Sequence, residues 1–130
     1  MVMMPDISQG TPAVYVSFSA EINASTTEVL LAAMSHCANK RVRQVHLLLS
    51  SPGGLVMHGL NLHNVLKGFS FELITHNVGN VDSIGNMVFL AGKTRYSSAH
   101  ATFMFHGVGV EGNGPFHFEE KTLRERMGSL

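Results

Sequence analysis

Two glycine-containing turns carry the residues that are best suited to chemistry. The first is GNVDSIGN, residues 79–86, where a predicted strand ends and a predicted helix begins at Ser83. A serine at a helix start lies beside free backbone N–H groups and the positive end of the helix dipole, and it commonly caps the helix. Gly79 and Gly85 also match the sharp strand-to-helix turn that exposes a nucleophilic serine. Ser83 is therefore a candidate nucleophile as well as a candidate cap.

The second turn is SSPGG, residues 50–54, which follows the apolar run VHLLL and precedes another predicted helix. Pro52 has no N–H, whereas Gly53 and Gly54 leave their backbone donors unshielded. Two such turns side by side at one edge of a parallel sheet would direct the N–H groups of Gly54 and Ile84 at a shared point. That arrangement is an oxyanion hole, in which the loss of one donor costs about 3 kcal/mol.

A general base is the third requirement, and His106 in MFHG is the candidate. A histidine beside a serine can accept its proton and later return it to the leaving group. We expect no metal site and no cofactor, because the remaining histidines form no HxH or HExxH spacing and the single cysteine, Cys37, allows no CxxC. Those seven histidines are His36, His46, His58, His63, His76, His100 and His117.

The elements that would position these groups alternate along the chain as strand, turn and helix. This order predicts an α/β domain of stacked ββα-like units with a mainly parallel sheet. Ser25 and Glu28 match a capping box at the first helix, and VGVEGNGPF predicts a projecting loop. The strands are predicted over residues 13–20, 44–50, 71–78, 95–98 and 101–107, and the helices over 25–38, 56–66 and 83–91, with another beginning in HFEEKTLRERM.

Composition narrows the class of protein. The 130 residues predict one domain, 1–130, with a loose segment over residues 1–12. Only 14% of residues are charged, against about 25% in a usual globular chain, so we expect a homo-oligomer that covers apolar surface. Zero formal net charge without a basic run disfavours nucleic-acid binding. We expect a cytoplasmic protein without membrane attachment, because no signal peptide or long apolar run is present and Cys37 stands alone.

Two segments of the chain carry a family resemblance, LLLSSPGGLVMHGLNLHNVL and GNVDSIGNMVFLAGKTRYSSAHATFMFH. Together they resemble the proteolytic subunit of the Clp protease, ClpP, within the ClpP/crotonase fold. The resemblance covers about residues 13–125. It implies that the serine of the family falls on Ser83, the histidine on His106, and the oxyanion donors on Gly54 and Ile84. Residues 108–130 then correspond to the handle region, which projects from the domain.

The resemblance also implies a serine endopeptidase. Its substrate would be a peptide or unfolded protein that binds as an added strand beside Gly53, Leu55 and Val108. It further implies rings of subunits and an AAA+ unfoldase as a partner. The third triad residue of the family, an aspartate after the handle, has no counterpart, since the chain contains only Asp6 and Asp82. We therefore expect a C-terminally truncated domain whose histidine lacks an orienting acid, which costs about four orders of magnitude in rate.

Three other functions remain open from the residues alone. A crotonase-type acyl-CoA enzyme would use the same backbone oxyanion hole without a Ser-His pair. A non-catalytic scaffold subunit is favoured by the absent acid and by Asp82, which stands where the family has a small residue. A membrane-associated peptidase with a Ser-Lys dyad would use Lys93 or Lys121, but His106 makes a lysine unnecessary.

Overall fold

A computed structural model describes residues 12–105, which form five strands and three helices. His106, Val108 and the predicted handle region lie outside these described residues. The strands are β1 (Ala13–Ser19), β2 (Gln44–Ser51), β3 (Glu72–Asp82), β4 (Thr94–Ser97) and β5 (Thr102–Met104), and the helices are α1 (Ala24–Asn39), α2 (Val56–Gly68) and α3 (Gly85–Leu90).

The strands form one parallel sheet, which confirms the predicted α/β fold. The sheet order is β1-β2-β3-β4, and β5 pairs with β3 as well. The long strand β3 therefore has two partners on one side, since β4 pairs with residues 74–77 and β5 with residues 80–82. This places the carboxyl ends of β2, β3 and β5 together at one edge of the sheet.

The core lies between one face of the sheet and the helices. Alternate residues of β1 and β2 point to that face, because side chains in a strand alternate with period two. Val14, Val45, Leu47 and Leu49 are fully buried there and pack in one cluster with Met34 and Leu62 of the helices. On the opposite face, Tyr15 and Tyr96 are about half exposed.

The predicted capping box at Ser25 and Glu28 is wrong, because α1 begins one residue earlier, at Ala24. Asn23 is the cap, and its side chain accepts a hydrogen bond from the Thr26 N–H at 2.9 Å. The Thr26 hydroxyl in turn accepts a hydrogen bond from the Asn23 N–H at 3.0 Å. Asparagine is as good a cap as serine, and the helix takes the earlier of two start signals that lie two positions apart.

The predicted boundary between the third strand and the third helix is also wrong. Residues 79–82 were expected to form a turn, but β3 continues to Asp82 because β5 supplies a second pairing partner. Helix α3 begins at Gly85, so Ser83 precedes it and does not open it. No helix within residues 12–105 is both long enough and apolar enough to cross a membrane.

Candidate active site

Ser83 occupies a strained turn between β3 and α3. Its φ of 52° lies in the left-handed region, which costs a residue with a side chain about 1–3 kcal/mol and persists only where neighbouring contacts impose it. Two backbone hydrogen bonds do so here. The Ser83 N–H donates to the carbonyl of Met104 at 2.8 Å, and the Ser83 carbonyl accepts from the Asn86 N–H at 3.1 Å.

Asn86 is a part of this turn that the sequence analysis missed. Its side chain is buried, and its amide donates to the carbonyls of Ser83 at 3.0 Å and Met104 at 3.1 Å. One side chain thus connects the serine turn to β5, where the chain continues toward His106. The sequence did contain a signal for this role, because Asn86 is a polar residue at the start of the apolar segment NMVFL. A polar side chain that is buried in such a segment requires hydrogen-bonding partners.

The SSPGG turn is held by contacts at both ends. The buried Ser51 hydroxyl accepts a hydrogen bond from the Gly53 N–H at 3.1 Å, as in turns closed by a serine side chain. Ile22 then pairs with the turn, since its N–H donates to Gly53 at 2.8 Å and its carbonyl accepts from Leu55 at 2.9 Å. Successive residues of an extended chain direct their backbone groups to opposite sides, so the N–H and carbonyl of Gly54 point away from Ile22.

The two turns meet at Gly53. Gly53 has a φ of 94°, and a Cβ there would lie 2.9 Å from the Cβ of Ser83 and 3.5 Å from the backbone nitrogen of Ile84. Any larger residue would push the two turns apart. The structure therefore brings Gly53, Ser83 and Ile84 together, with Gly54 adjacent and the Ile84 side chain seated against Gly59 of α2.

The backbone groups of the predicted peptide-binding residues are not equally free. Gly53 and Leu55 use theirs for the hydrogen bonds to Ser51 and Ile22, and the Leu55 carbonyl also accepts the N–H of Gly59 at 3.1 Å. Leu55 can offer a substrate its side chain, which is 57% exposed. Gly54 is left as the residue of this turn whose backbone faces outward.

Asp82 ends β3 immediately before Ser83. Its carboxylate accepts a hydrogen bond from the side-chain amide of Asn80 at 2.7 Å. The amide oxygen of Asn80 accepts one from the Ser50 hydroxyl at 2.8 Å. These three side chains lie on the face of the sheet opposite the helices, since Val81 between them is fully buried on the helical face.

Other reactive groups lie away from these turns. Cys37 is fully buried in α1, and its burial raises the pKa of the thiol, so it is a core residue and a poor nucleophile. His46 and His76 share a hydrogen bond of 2.8 Å between Nδ1 and Nε2 on the open face of the sheet. Desolvation, followed by the proximity of His46, lowers the pKa of His76. Within residues 12–105, no three histidine, cysteine or acidic side chains converge as metal ligands would.

The fold is that of the ClpP proteases. Residues of this chain superpose on a mutant of ClpP1 from Listeria monocytogenes with a TM-score of 0.71 at 23% identity, over 75% of this chain and 58% of that one. The ClpP protease catalytic domain from Plasmodium falciparum gives a TM-score of 0.69 at 23% identity, over 72% and 54% of the two chains. Identities this low establish the fold alone.

Sequence comparison defines the family. The family profile of the Clp protease matches residues 8–115, and the chain therefore belongs to that family. It is 32% identical over 78 residues to the ATP-dependent Clp protease proteolytic subunit 1 of Corynebacterium jeikeium (strain K411), covering 55% of this chain and 42% of that protein. It is 32% identical over 71 residues to proteolytic subunit 2 of Thermobifida fusca (strain YX), covering 53% and 35%. The chain thus spans about two fifths of the length of these curated relatives.

Proposed function

We propose that this chain is a serine endopeptidase subunit of the Clp type, with Ser83 as its nucleophile. One observation carries the proposal. A serine with a φ of 52° lies at a strand-to-helix turn and packs directly against a glycine of a second turn. Strain of this kind is retained where the surrounding structure imposes it, and it concentrates at active sites. An ordinary helix cap requires neither the left-handed serine nor the second turn.

In the proposed reaction, the Ser83 hydroxyl attacks the peptide carbonyl while His106 accepts its proton. The N–H groups of Gly54 and Ile84 stabilise the negative oxygen of the tetrahedral intermediate, a role in which each donor contributes about 10²–10³ in rate. His106 then protonates the departing amine, which leaves an acyl group on Ser83. Water, activated by His106, releases this acyl group.

The substrate is a peptide or unfolded protein bound in extended form. Gly54 supports this proposal, because its backbone groups point away from Ile22, so its carbonyl can pair with a substrate strand while its N–H binds the oxyanion. Gly53, Leu55 and Val108 would line the same strand. By analogy with the Clp relatives, we also infer a homo-oligomer that works with an ATPase unfoldase. Light scattering on the purified protein would then give a multiple of the 14.1 kDa chain mass.

The test is covalent labelling of the full chain. We expect a fluorophosphonate or a peptidyl chloromethyl ketone to add one adduct, detected by intact mass and mapped to Ser83 or His106. Ser83→Ala should abolish the fluorophosphonate adduct while leaving the circular dichroism spectrum unchanged. Ser98→Ala, which alters an exposed serine after β4, serves as the matched control and should label normally.

The outcomes separate the alternatives. Labelling that persists in Ser83→Ala would contradict the nucleophile assignment. Peptidase activity that is equal in Ser83→Ala and the unchanged chain would do the same. Acyl-CoA turnover independent of Ser83 would favour the crotonase-type enzyme. Folded protein that never reacts would favour the non-catalytic scaffold, an alternative supported by Asp82 before the proposed nucleophile.

A further inference from the structure

The residue immediately before the proposed nucleophile carries a carboxylate. Asp82 is half-buried, and its Cα pairs with Met104 across the β3–β5 ladder. The side chains of paired residues share one face of a sheet. Asp82 and Met104, which is 47% exposed, therefore present an acidic group next to an apolar surface at the edge where Ser83 lies.

The orientation of this carboxylate is fixed by two other side chains. The Ser50 hydroxyl donates to the amide oxygen of Asn80, so the amide nitrogen of Asn80 must point the other way, toward Asp82. The backbone N–H of Asn80 also donates to the Ser50 hydroxyl at 3.3 Å, which closes the connection between β2 and β3. In the part of the chain that the structure describes, the hydrogen-bonding partner of Asp82 is thus a neutral amide. No ion pair to this carboxylate is formed within residues 12–105.

We propose that Asp82 makes this site select peptides that carry lysine or arginine beside the bond attacked by Ser83. This inference rests on the proposed function. The cationic head would pair with the Asp82 carboxylate, and its methylene stem would lie along Met104, as long basic side chains commonly cover apolar surface. Acidic side chains at the same position would be disfavoured, because like charges repel.

The preference should be moderate. The carboxylate is only half-buried, and a partly exposed ion pair contributes little, so we expect lysine to react about three- to five-fold faster than an uncharged residue of equal length. Lysine should react about ten-fold faster than glutamate, where attraction is replaced by repulsion. Both ratios should shrink in about 1 M salt, which screens charges beyond roughly 3 Å.

The experiment uses peptidyl phosphonate esters, which label reactive serines, on the full chain. The probes differ only at the two positions nearest the phosphorus, which carry lysine, norleucine or glutamate. Norleucine matches the lysine stem without its charge. The rate of adduct formation on Ser83, followed by intact mass, gives the ratios directly.

Substitutions at Asp82 then test whether its carboxylate causes the preference for lysine. Asp82→Asn should bring the lysine-to-norleucine ratio to about one, and Asp82→Glu should retain part of the preference. Glu72→Gln removes the same charge from the opposite end of β3, roughly 30 Å away at about 3.3 Å per residue, and should leave the ratios unchanged. Circular dichroism establishes that each variant is folded.

Three results would overturn the inference. A ratio near one in the unchanged chain, with Ser83 labelled by every probe, removes the preference and leaves the proposed function intact. Equal slowing of all probes in Asp82→Asn would make the carboxylate a group that acts on the reaction itself, such as an acid that orients His106. Failure of every probe to label Ser83 rejects the proposed function, and the preference with it.

Discussion

At the scale of single residues, the conformation of Ser83 depends on hydrogen bonds from outside its own turn. The Met104 carbonyl accepts its N–H, and the buried Asn86 amide binds the carbonyls of both Ser83 and Met104. These contacts offset the strain of the left-handed conformation. They also connect the serine turn to β5, the strand that precedes His106 in the sequence.

We predict that Asn86→Ala destabilises the protein by about 1–3 kcal/mol, because it removes the two hydrogen bonds that the buried Asn86 amide donates to the carbonyls of Ser83 and Met104. Denaturation in urea measures this free energy of unfolding. The variant should also reduce labelling of Ser83, since the turn is then connected to β5 by the Ser83 N–H alone.

The control is Asn64→Ala, which changes an exposed asparagine of α2. Surface substitutions of this kind usually alter stability by less than about 0.5 kcal/mol. If the two variants were equally stable, the Asn86 amide would not be supporting the turn.

At the scale of elements, the site is a junction between two strand-to-helix turns. The pairing of β2 with β3 shifts register between Leu49 and Ser51, just before SSPGG. The shift lets β2 turn away while β3 continues to Asp82. Gly53 then packs against Ser83. Gly54 lies so close to Ile22 that a Cβ atom on Gly54 would overlap the Ile22 carbonyl. The backbone of one turn therefore positions the other.

Gly54→Ala should destabilise the protein by at least about 2 kcal/mol and reduce labelling of Ser83. Gly54 has a φ of 152°, so alanine is strained there, and its methyl group also collides with backbone rather than with a movable side chain. Thermal and urea unfolding measure the loss.

Gly68→Ala is the matched comparison at the end of α2, where a Cβ would meet nothing within 4 Å. Alanine is the better helix former by about 1 kcal/mol, so this variant should be as stable as the unchanged chain or more so. Equal losses in both variants would mean that the close approach of Gly54 to Ile22 does not constrain the turn.

At the scale of the whole molecule, the described part of the chain packs helices on one face of its sheet and presents a row of rings on the other. Tyr15 stacks on His46 at 4.6 Å between ring centroids, and His76 stacks on Tyr96 at 5.2 Å. The His46–His76 hydrogen bond joins these two pairs across the central strands β2 and β3. The sheet is thus connected on this face by two stacked pairs of rings and one hydrogen bond between imidazoles.

Stability should therefore fall on acidification. The pKa of His76 is lower in the folded chain than the value of about 6.5 for an unfolded histidine. The unfolded chain consequently binds more protons, and the free energy of unfolding decreases as the pH drops from about 7 toward the folded-state pKa, below which this contribution levels off. Urea unfolding at several pH values between about 5 and 8 measures the slope.

His76→Phe keeps a stacking ring but cannot be protonated. Its free energy of unfolding should therefore change less steeply with pH over this range than that of the unchanged chain. His100→Phe, at an exposed histidine after β4, should keep the slope of the unchanged chain. An identical slope in His76→Phe would exclude His76 as its source.

Much of this architecture could be predicted from local patterns. The alternation of strands and helices set the parallel α/β class, and the predicted starts of β1, β2 and α2 match those observed, because apolar periodicity and turn residues act over short distances. Local patterns gave the wrong element boundary where pairing with a distant segment decides the length of a strand. β3 was predicted to end near Val78, since no nearby signal announces that residues 102–104 pair with residues 80–82.

For the candidate site, the sequence by itself determined the reactive residue types and their order, from SSPGG through Ser83 to His106, and with them the resemblance to the Clp protease family. Only the tertiary structure decided that Ser83 lies outside its helix with a left-handed backbone, that Gly53 packs against it, and that Asn86 and Asn80 hold the neighbouring groups. These features arise from hydrogen bonds and close approaches between residues up to about thirty positions apart. Such contacts leave no periodic trace in the sequence, because they depend on how strands pair and not on what each segment prefers locally.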